Sequence, residues 1–172
     1  MDKKLLEMTQ NQIQMEYFSG YLYLSMADWL ERQDLPGAAN WMYIQYQEEV
    51  LHAQGFIKFL QRLGQPIALR QIDQPQREFE SLEEVFQMAL DHEKEVSESI
   101  RNMAKRANEA DEFEMREFLN WYIMEQVEEE ENAEENLANV QLIGNNPAGL
   151  YSLDKSWAAR SFEAEDIPYI EG

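Results

Sequence analysis

The chain has 172 residues, 44% of them hydrophobic, and sets 34 acidic against 14 basic side chains for a formal charge of −20, with no cysteine. That length supports one domain able to bury most of the surface its unfolded chain exposes, and 12% aromatics with nine Met supply bulk for a core. The charge repels phosphate backbones and anionic headgroups, so nucleic acid is not expected as a partner, while the missing cysteine rules out disulfides, a thiolate nucleophile, Cys-bound zinc and iron–sulfur clusters. No stretch approaches the length of a membrane span, and Lys3 and Lys4 have no apolar run behind them. A soluble, cytoplasmic protein is expected, with no membrane partner.

Seven Gly and five Pro fall mostly between long segments of helical period, which predicts an all-α domain. Helix A begins after Asp2 and runs to about Gln33. Asp34 is expected to cap helix B, with Pro36 in its first turn and Gly64 as its stop. The polar stretch to Glu80 is too long for a tight turn and predicts a crossover along the bundle. Ser81 with Glu84 reads as a capping box for helix C, and Asp111 with Glu114 as the same signal for helix D, which ends at Gly144. Pro147 starts a short fifth helix with Leu150, Leu153 and Trp157 on one face. From Ser161 the acidic remainder has no period. The expected division is a helical domain over 1–160 and a disordered tail over 161–172. Two short loops and one long one give the four-helix bundle with a single long crossover seen in ferritin-like folds.

The inward stripes are interrupted by polar residues. Helix A presents Leu5, Thr9, Gln12, Glu16, Gly20, Tyr23, Ala27 and Leu30; helix B presents Trp41, Gln45, Glu49, His52, Phe56, Phe59 and Leu63. Glu93 interrupts the stripe of helix C, and Gln126 and Glu129 that of helix D. All lie near mid-helix, so an antiparallel bundle brings four carboxylates and one imidazole into a single layer. The two halves also repeat: Glu16 and Glu49 are 33 residues apart, as are Glu93 and Gln126, and His52 corresponds to Glu129.

Four buried, unpaired carboxylates would cost several kcal/mol per ion against a total stability of roughly 5–15 kcal/mol. No Lys or Arg falls in these stripes, so a pair of divalent ions is the simplest neutraliser. Oxygen ligands with one imidazole suit Fe, Mn or Zn. A lone Glu-x-x-His on a helix usually means two solvated residues; Glu16, Glu93 and Glu129 in the same layer reverse that reading.

Glu16, Glu49-Val50-Leu51-His52, Glu93 and Gln126-Val127-Glu128-Glu129 together resemble the ferroxidase signature of non-haem bacterial and archaeal ferritins. The similarity extends through residues 16–27, 47–53 and 118–131 and over nearly the whole chain. It implies that Glu16 and His52 hold one iron, Glu93 and Glu129 the other, with Glu49 bridging and Gln126 a neutral neighbour. It further implies a third iron position at Glu48, Glu125 and Glu128, sharing Glu129; the alternative is a solvated acidic face. Tyr23 matches a tyrosine beside the diiron centre that hydrogen-bonds a ligand or supplies an electron. Trp121 sits next to the same layer, and core packing explains either aromatic equally well. Haem is not expected, because Val50 stands where bacterioferritins place a haem-ligating Met.

The resemblance implies an iron-storage protein. Iron(II) and dioxygen are its substrates, and ferric oxyhydroxide accumulates inside a homo-oligomeric shell of 24 subunits, with Trp157 and Leu150 as candidate contacts between copies. Seven Glu between Glu125 and Glu135 repel one another, and water is the default screen for Glu130, Glu131, Glu134 and Glu135. Two rival readings are a diiron oxidase without a shell and a purely structural bundle.

Overall fold

The computed structural model describes residues 1–163 and 167–169. Five helices follow one another: α1 (Lys3–Arg32), α2 (Pro36–Arg62), α3 (Leu82–Glu109), α4 (Phe113–Ile143) and α5 (Pro147–Ala158). The described residues contain no strand, and the expected all-α bundle is what forms. At 1.5 Å per residue the long helices reach about 40–47 Å. α1 pairs closely with α2, α3 with α4, and the halves join through α1 and α3, while aromatic side chains of α2 and α4 meet across the other side of the bundle. α5 folds back onto α2.

The crossover runs beside α1 in the direction of that helix. Gln10 Nε2 donates to the carbonyl of Pro66 (3.0 Å), Gln14 Nε2 to that of Gln71 (2.6 Å) and Ser25 Oγ to that of Gln76 (2.6 Å). These bonds satisfy carbonyls that an irregular segment cannot pair with itself. Phe79 then packs edge-on against Trp29 (5.6 Å) and delivers the chain to α3.

Two helix starts differ from the sequence expectation. Asp34 (φ 58°) and Asp111 (φ 55°) do not cap the helices that follow; each occupies the left-handed position just past the end of the helix before it. Leu35 N–H bonds back to Leu30 O (3.1 Å) and Asp34 N–H to Glu31 O (3.2 Å). Glu112 N–H and Asp111 N–H likewise reach Ala107 O and Asn108 O at 3.0 and 3.4 Å. Gly64 (φ 62°) ends α2 in the same way. These are Schellman ends, and Asp tolerates the left-handed conformation well enough to substitute for Gly there. The start of α2 is capped from a distance: Asp154 Oδ1 on α5 accepts from the N–H groups of Gly37 (2.8 Å) and Ala38 (3.0 Å). Ser81 caps α3 as expected, its Oγ accepting from Glu84 N–H at 3.0 Å, while the Glu84 carboxylate accepts from the Glu80 N–H.

The core is split in two. One apolar cluster includes Tyr23, Trp29, Trp41, Phe86, Leu137 and Trp157, the other Leu5, Ile13, Phe56, Phe59, Val96, Phe118 and Tyr122. Between them lies the polar layer foreseen from the stripes; the stripes of the first two helices are buried throughout except for half-buried Leu63 at the end of the second.

Trp157 is buried within its own chain, stacked on Phe86 (4.9 Å) with Nε1 donating to Asn136 Oδ1 (2.6 Å), so it is not an interface residue of the kind expected; Leu150 is half-buried. The tail expected to be disordered lies partly outside the described residues, at 164–166 and 170–172. Of its described members, Ile167 is buried and Tyr169 stacks near Phe59 (6.0 Å) beneath Arg62 (4.6 Å), because apolar side chains there find the aromatic face between α2 and α4. Two outer members of the acidic run have cationic partners on α3: Glu130 pairs with Arg101 (3.0 Å) and Glu134 with Lys94 (3.3 Å).

Candidate metal centre

The centre is built on four helices, which fix side-chain positions more firmly than loops do. On α1 and α2, Glu16, Glu49 and His52 each offer a ligand atom, and all of these lie within 4.8 Å of one another in a fully buried setting. Glu49 and His52 are three residues apart and share a helix face, His52 Nδ1 standing 3.6 Å from Glu49 Oε2. Glu16 comes across from α1, its Oε1 accepting from Gln12 Nε2 at 3.0 Å. α1 and α2 run close together here: a Cβ added at Gly20 would lie 3.4 Å from the Tyr46 ring and 3.7 Å from Glu49 Cβ, in ordinary van der Waals contact with both.

On the other half, Glu93 of α3 accepts from Tyr23 through Oε1 and from Gln126 Nε2 through Oε2 (3.0 Å). Gln126 Nε2 also lies within reach of Glu93 O and Ser97 Oγ, each at 3.3 Å. Glu129 of α4 accepts from Gln45 Nε2 at 2.7 Å. Neutral amides therefore steady three of the acids from behind. The His52 ring is fenced by Trp121 (5.7 Å) and Tyr122 (6.0 Å), and the Tyr122 hydroxyl donates to His52 O at 2.9 Å.

Two atoms are left over: Glu16 Oε2 and Glu49 Oε2 are buried without a hydrogen-bond partner. Orphaned buried oxygens are costly and rare, and here both belong to the cluster of three candidate ligands. The acids also press on one another. Burial, and then the charge of Glu93, pushes Glu49 well above the ordinary carboxylate range. Glu129 is pushed up by burial, then by Glu93 and Glu48. Burial raises Glu16 too, with His52 and the Gln12 amide pulling the other way. The Tyr23 phenol is lifted well above its usual value by burial, then by Glu93. Such a layer favours either protons or a multivalent cation to offset its charge.

Residues 6–143 match the family described as the ferritin-like domain. The chain belongs to the ferritin family. It is 32% identical to the bacterial non-heme ferritin of Staphylococcus aureus (strain USA300) over 165 residues, which is 96% of this chain and 99% of the relative. The bacterial non-heme ferritin of Staphylococcus haemolyticus (strain JCSC1435) has the same identity and coverage. Among solved structures, the open-pore ferritin of the hyperthermophilic archaeon Archaeoglobus fulgidus superposes with a TM-score of 0.92 at 35% identity, covering 94% of this chain and 99% of that one. An engineered closed form of the A. fulgidus ferritin gives 0.93 at 36% identity, covering 95% and 99%. The short fifth helix belongs to this shared fold.

Every site residue named from the sequence has a definite place in this ferritin. Glu16, Glu49 and His52 converge, and Glu93, Gln126, Glu129 and Tyr23 share their buried layer. Glu48, Glu125, Glu128 and Glu129 line one cavity on the α2/α4 face, together with Trp121, Asn132 and Arg160. Sequence reasoning missed three supporting groups. Gln12 and Gln45 stood in the inward stripes, yet nothing marked them as partners of particular acids. Arg160 lies where the helical period has already ended, so no pattern placed it against α2. No helix among the described residues is long and apolar enough to cross a membrane.

Proposed function

We propose that this ferritin binds two ferrous ions between Glu16, Glu49, His52, Glu93 and Glu129, passes their electrons to dioxygen, and stores the resulting iron(III) as a ferric oxyhydroxide mineral inside a shell of 24 copies. The observation that carries this reading is the pair of orphaned oxygens, Glu16 Oε2 and Glu49 Oε2, facing an imidazole in a layer walled by further acids. Hard carboxylate oxygens with one imidazole nitrogen suit iron(II), and the chain has no cysteine to favour softer ions.

The protein's own part is to hold charge and protons. Burial and like charge favour the protonated forms of Glu49 and Glu129, whereas a bound cation would favour their anions. Gln12, Gln45 and Gln126 orient Glu16, Glu129 and Glu93 without adding charge that would compete with a metal ion. The Tyr23 hydroxyl beside Glu93 is placed to supply an electron or to tune that ligand. Glu48, Glu125 and Glu128, with Glu129, form the third iron position, on the route from the pair to the acidic face of α4. Assembly is supported by exposed apolar residues on one side of α1 and α2: Tyr21 (50% exposed), Leu24 (41%) and Tyr43 (48%).

Anaerobic titration of the metal-free protein with ferrous iron, followed by anomalous scattering at the iron edge, tests this. Two tight equivalents per chain between the named residues are expected. Fewer than two would overturn the reading.

A further inference from the structure

The cavity on the α2/α4 face measures about 350 Å³ and is walled by Glu48, Glu125, Glu128 and Glu129. A cation of the chain's own already reaches into it. Arg160, just past the end of α5, donates from Nη2 to both carboxylate oxygens of Glu48, at 2.9 and 2.8 Å. Its Nη1 donates to Gln45 Oε1, and the guanidinium lies over the Trp41 ring, 5.0 Å from its centre.

Glu48 is only 6% exposed, so its charge needs compensation, and Arg160 is seated on it. Gln45 links this surface pair to the interior: it accepts from Arg160 with its oxygen and donates to Glu129 with its nitrogen at 2.7 Å. An unbroken polar chain thus runs from guanidinium to amide to a carboxylate of the metal layer. Asn40 Nδ2 holds the Arg160 carbonyl at 3.0 Å, so the backbone is tied to α2 independently of what the guanidinium contacts.

We propose that Arg160 is an internal counter-ion: it occupies the third-ion pocket in the resting protein and must leave Glu48 before a metal ion can settle there. This rests on the reading of Glu48, Glu125 and Glu128 as a third iron position. A guanidinium and a metal ion compete for the same two oxygens of Glu48, so the third ion binds more weakly than the pocket's acids alone would allow. Departure of Arg160 also releases Gln45 from one side, which frees Glu129 to turn toward the cavity. Arrival of a third ion is thereby coupled to a ligand of the second.

The test uses assembled, metal-free protein titrated with Zn²⁺ by calorimetry, and with Tb³⁺ by luminescence excited through Trp121, which lines the same cavity. In Arg160→Gln the third Zn²⁺ step is expected to tighten about tenfold or more, because a unit charge has been removed from beside the site. The Tb³⁺ midpoint shifts with it. Arg160→Lys falls between wild type and Arg160→Gln, since a point-charge ammonium holds a carboxylate less firmly than a guanidinium. In a Glu48→Gln background, where Arg160 has no carboxylate to hold, removing Arg160 shifts both readings less than it does with Glu48 present. A third step and Tb³⁺ midpoint that stay at wild-type values in both Arg160 variants overturn the proposal, and Arg160→Lys decides alone should Arg160→Gln fail to assemble. Two tight Zn²⁺ ions with no third step in any variant also overturn it while leaving the two-ion reading standing. Fewer than two tight ions in wild type strike that reading instead.

Discussion

Tyr23 on α1 donates its hydroxyl hydrogen to Oε1 of Glu93 on α3, joining the two halves of the bundle inside the buried polar layer. Both groups are fully buried, and the phenol is held protonated by burial and by that neighbouring charge. Tyr23→Phe preserves the ring that packs beside Met26 and Leu22 and removes only the hydroxyl. Glu93 keeps its bond from Gln126. We expect an assembled shell with slower iron oxidation in stopped flow and a weaker tyrosyl radical signal by electron paramagnetic resonance. Identical traces in both measurements would reduce Tyr23 to a packing residue.

Glu49 sits between Glu16, His52 and Glu93 and feels all three, whereas Glu129 is held to one side by Gln45. A ligand that serves both ions should matter more than one that serves a single ion. Glu49→Ala is therefore expected to abolish rapid oxidation, and Glu129→Ala to leave a slow residual phase. Equal residual rates would argue against a bridging role.

The metal-free protein should also report the strain in this layer through pH. The Glu49 carboxyl is pushed above its unfolded value of 4.5, so the folded state binds that proton more tightly than the unfolded state does. Its contribution to stability is complete below the unfolded value and is lost as pH rises through the folded one. Glu49→Gln cannot ionise and escapes that loss. Without metal it should melt above wild type at about pH 7, with the gap closing toward about pH 4.5. Saturating Zn²⁺ should reverse the order at neutral pH, because only wild type gains the bridging ligand. A wild type that melts higher without metal throughout this range would contradict the assignment of Glu49 as a strained acid.

The bundle and the convergence of the candidate ligands were legible because burial imposes a period. Glu16, Glu49, His52, Glu93 and Glu129 stood out as ionisable residues in stripes that should be apolar, and registering mid-helix positions placed them in one layer. Contacts between elements without a shared period stayed hidden. Asp34 and Asp111 looked like caps because Asp suits both the start of a helix and the left-handed residue after one; only the backbone hydrogen bonds distinguish the two uses. Arg160 closes the expected helical domain and Ile167 lies in the segment read as acidic and aperiodic, yet each finds a specific partner on the α2/α4 side.

The cap supplied by Asp154 shows how α5 is tied to the site. Its carboxylate satisfies the first free N–H groups of α2, and the helix dipole there favours a negative charge. Losing such a cap costs about 0.5–2 kcal/mol, so Asp154→Ala should lower the unfolding free energy by that order, with a matching fall in melting temperature. Gly37→Ala should be worse. A methyl group at Gly37 would stand 1.7 Å from the Asp154 carbonyl oxygen, a clash with backbone that no rotamer relieves, so α5 must lift from α2. Trp157 would leave its stack on Phe86, and Arg160 would lose its place at Glu48. We expect Gly37→Ala to show red-shifted tryptophan fluorescence and a lower melting temperature than Asp154→Ala. A melting temperature for Gly37→Ala equal to that of wild type would mean that α5 docks without the close approach at Gly37.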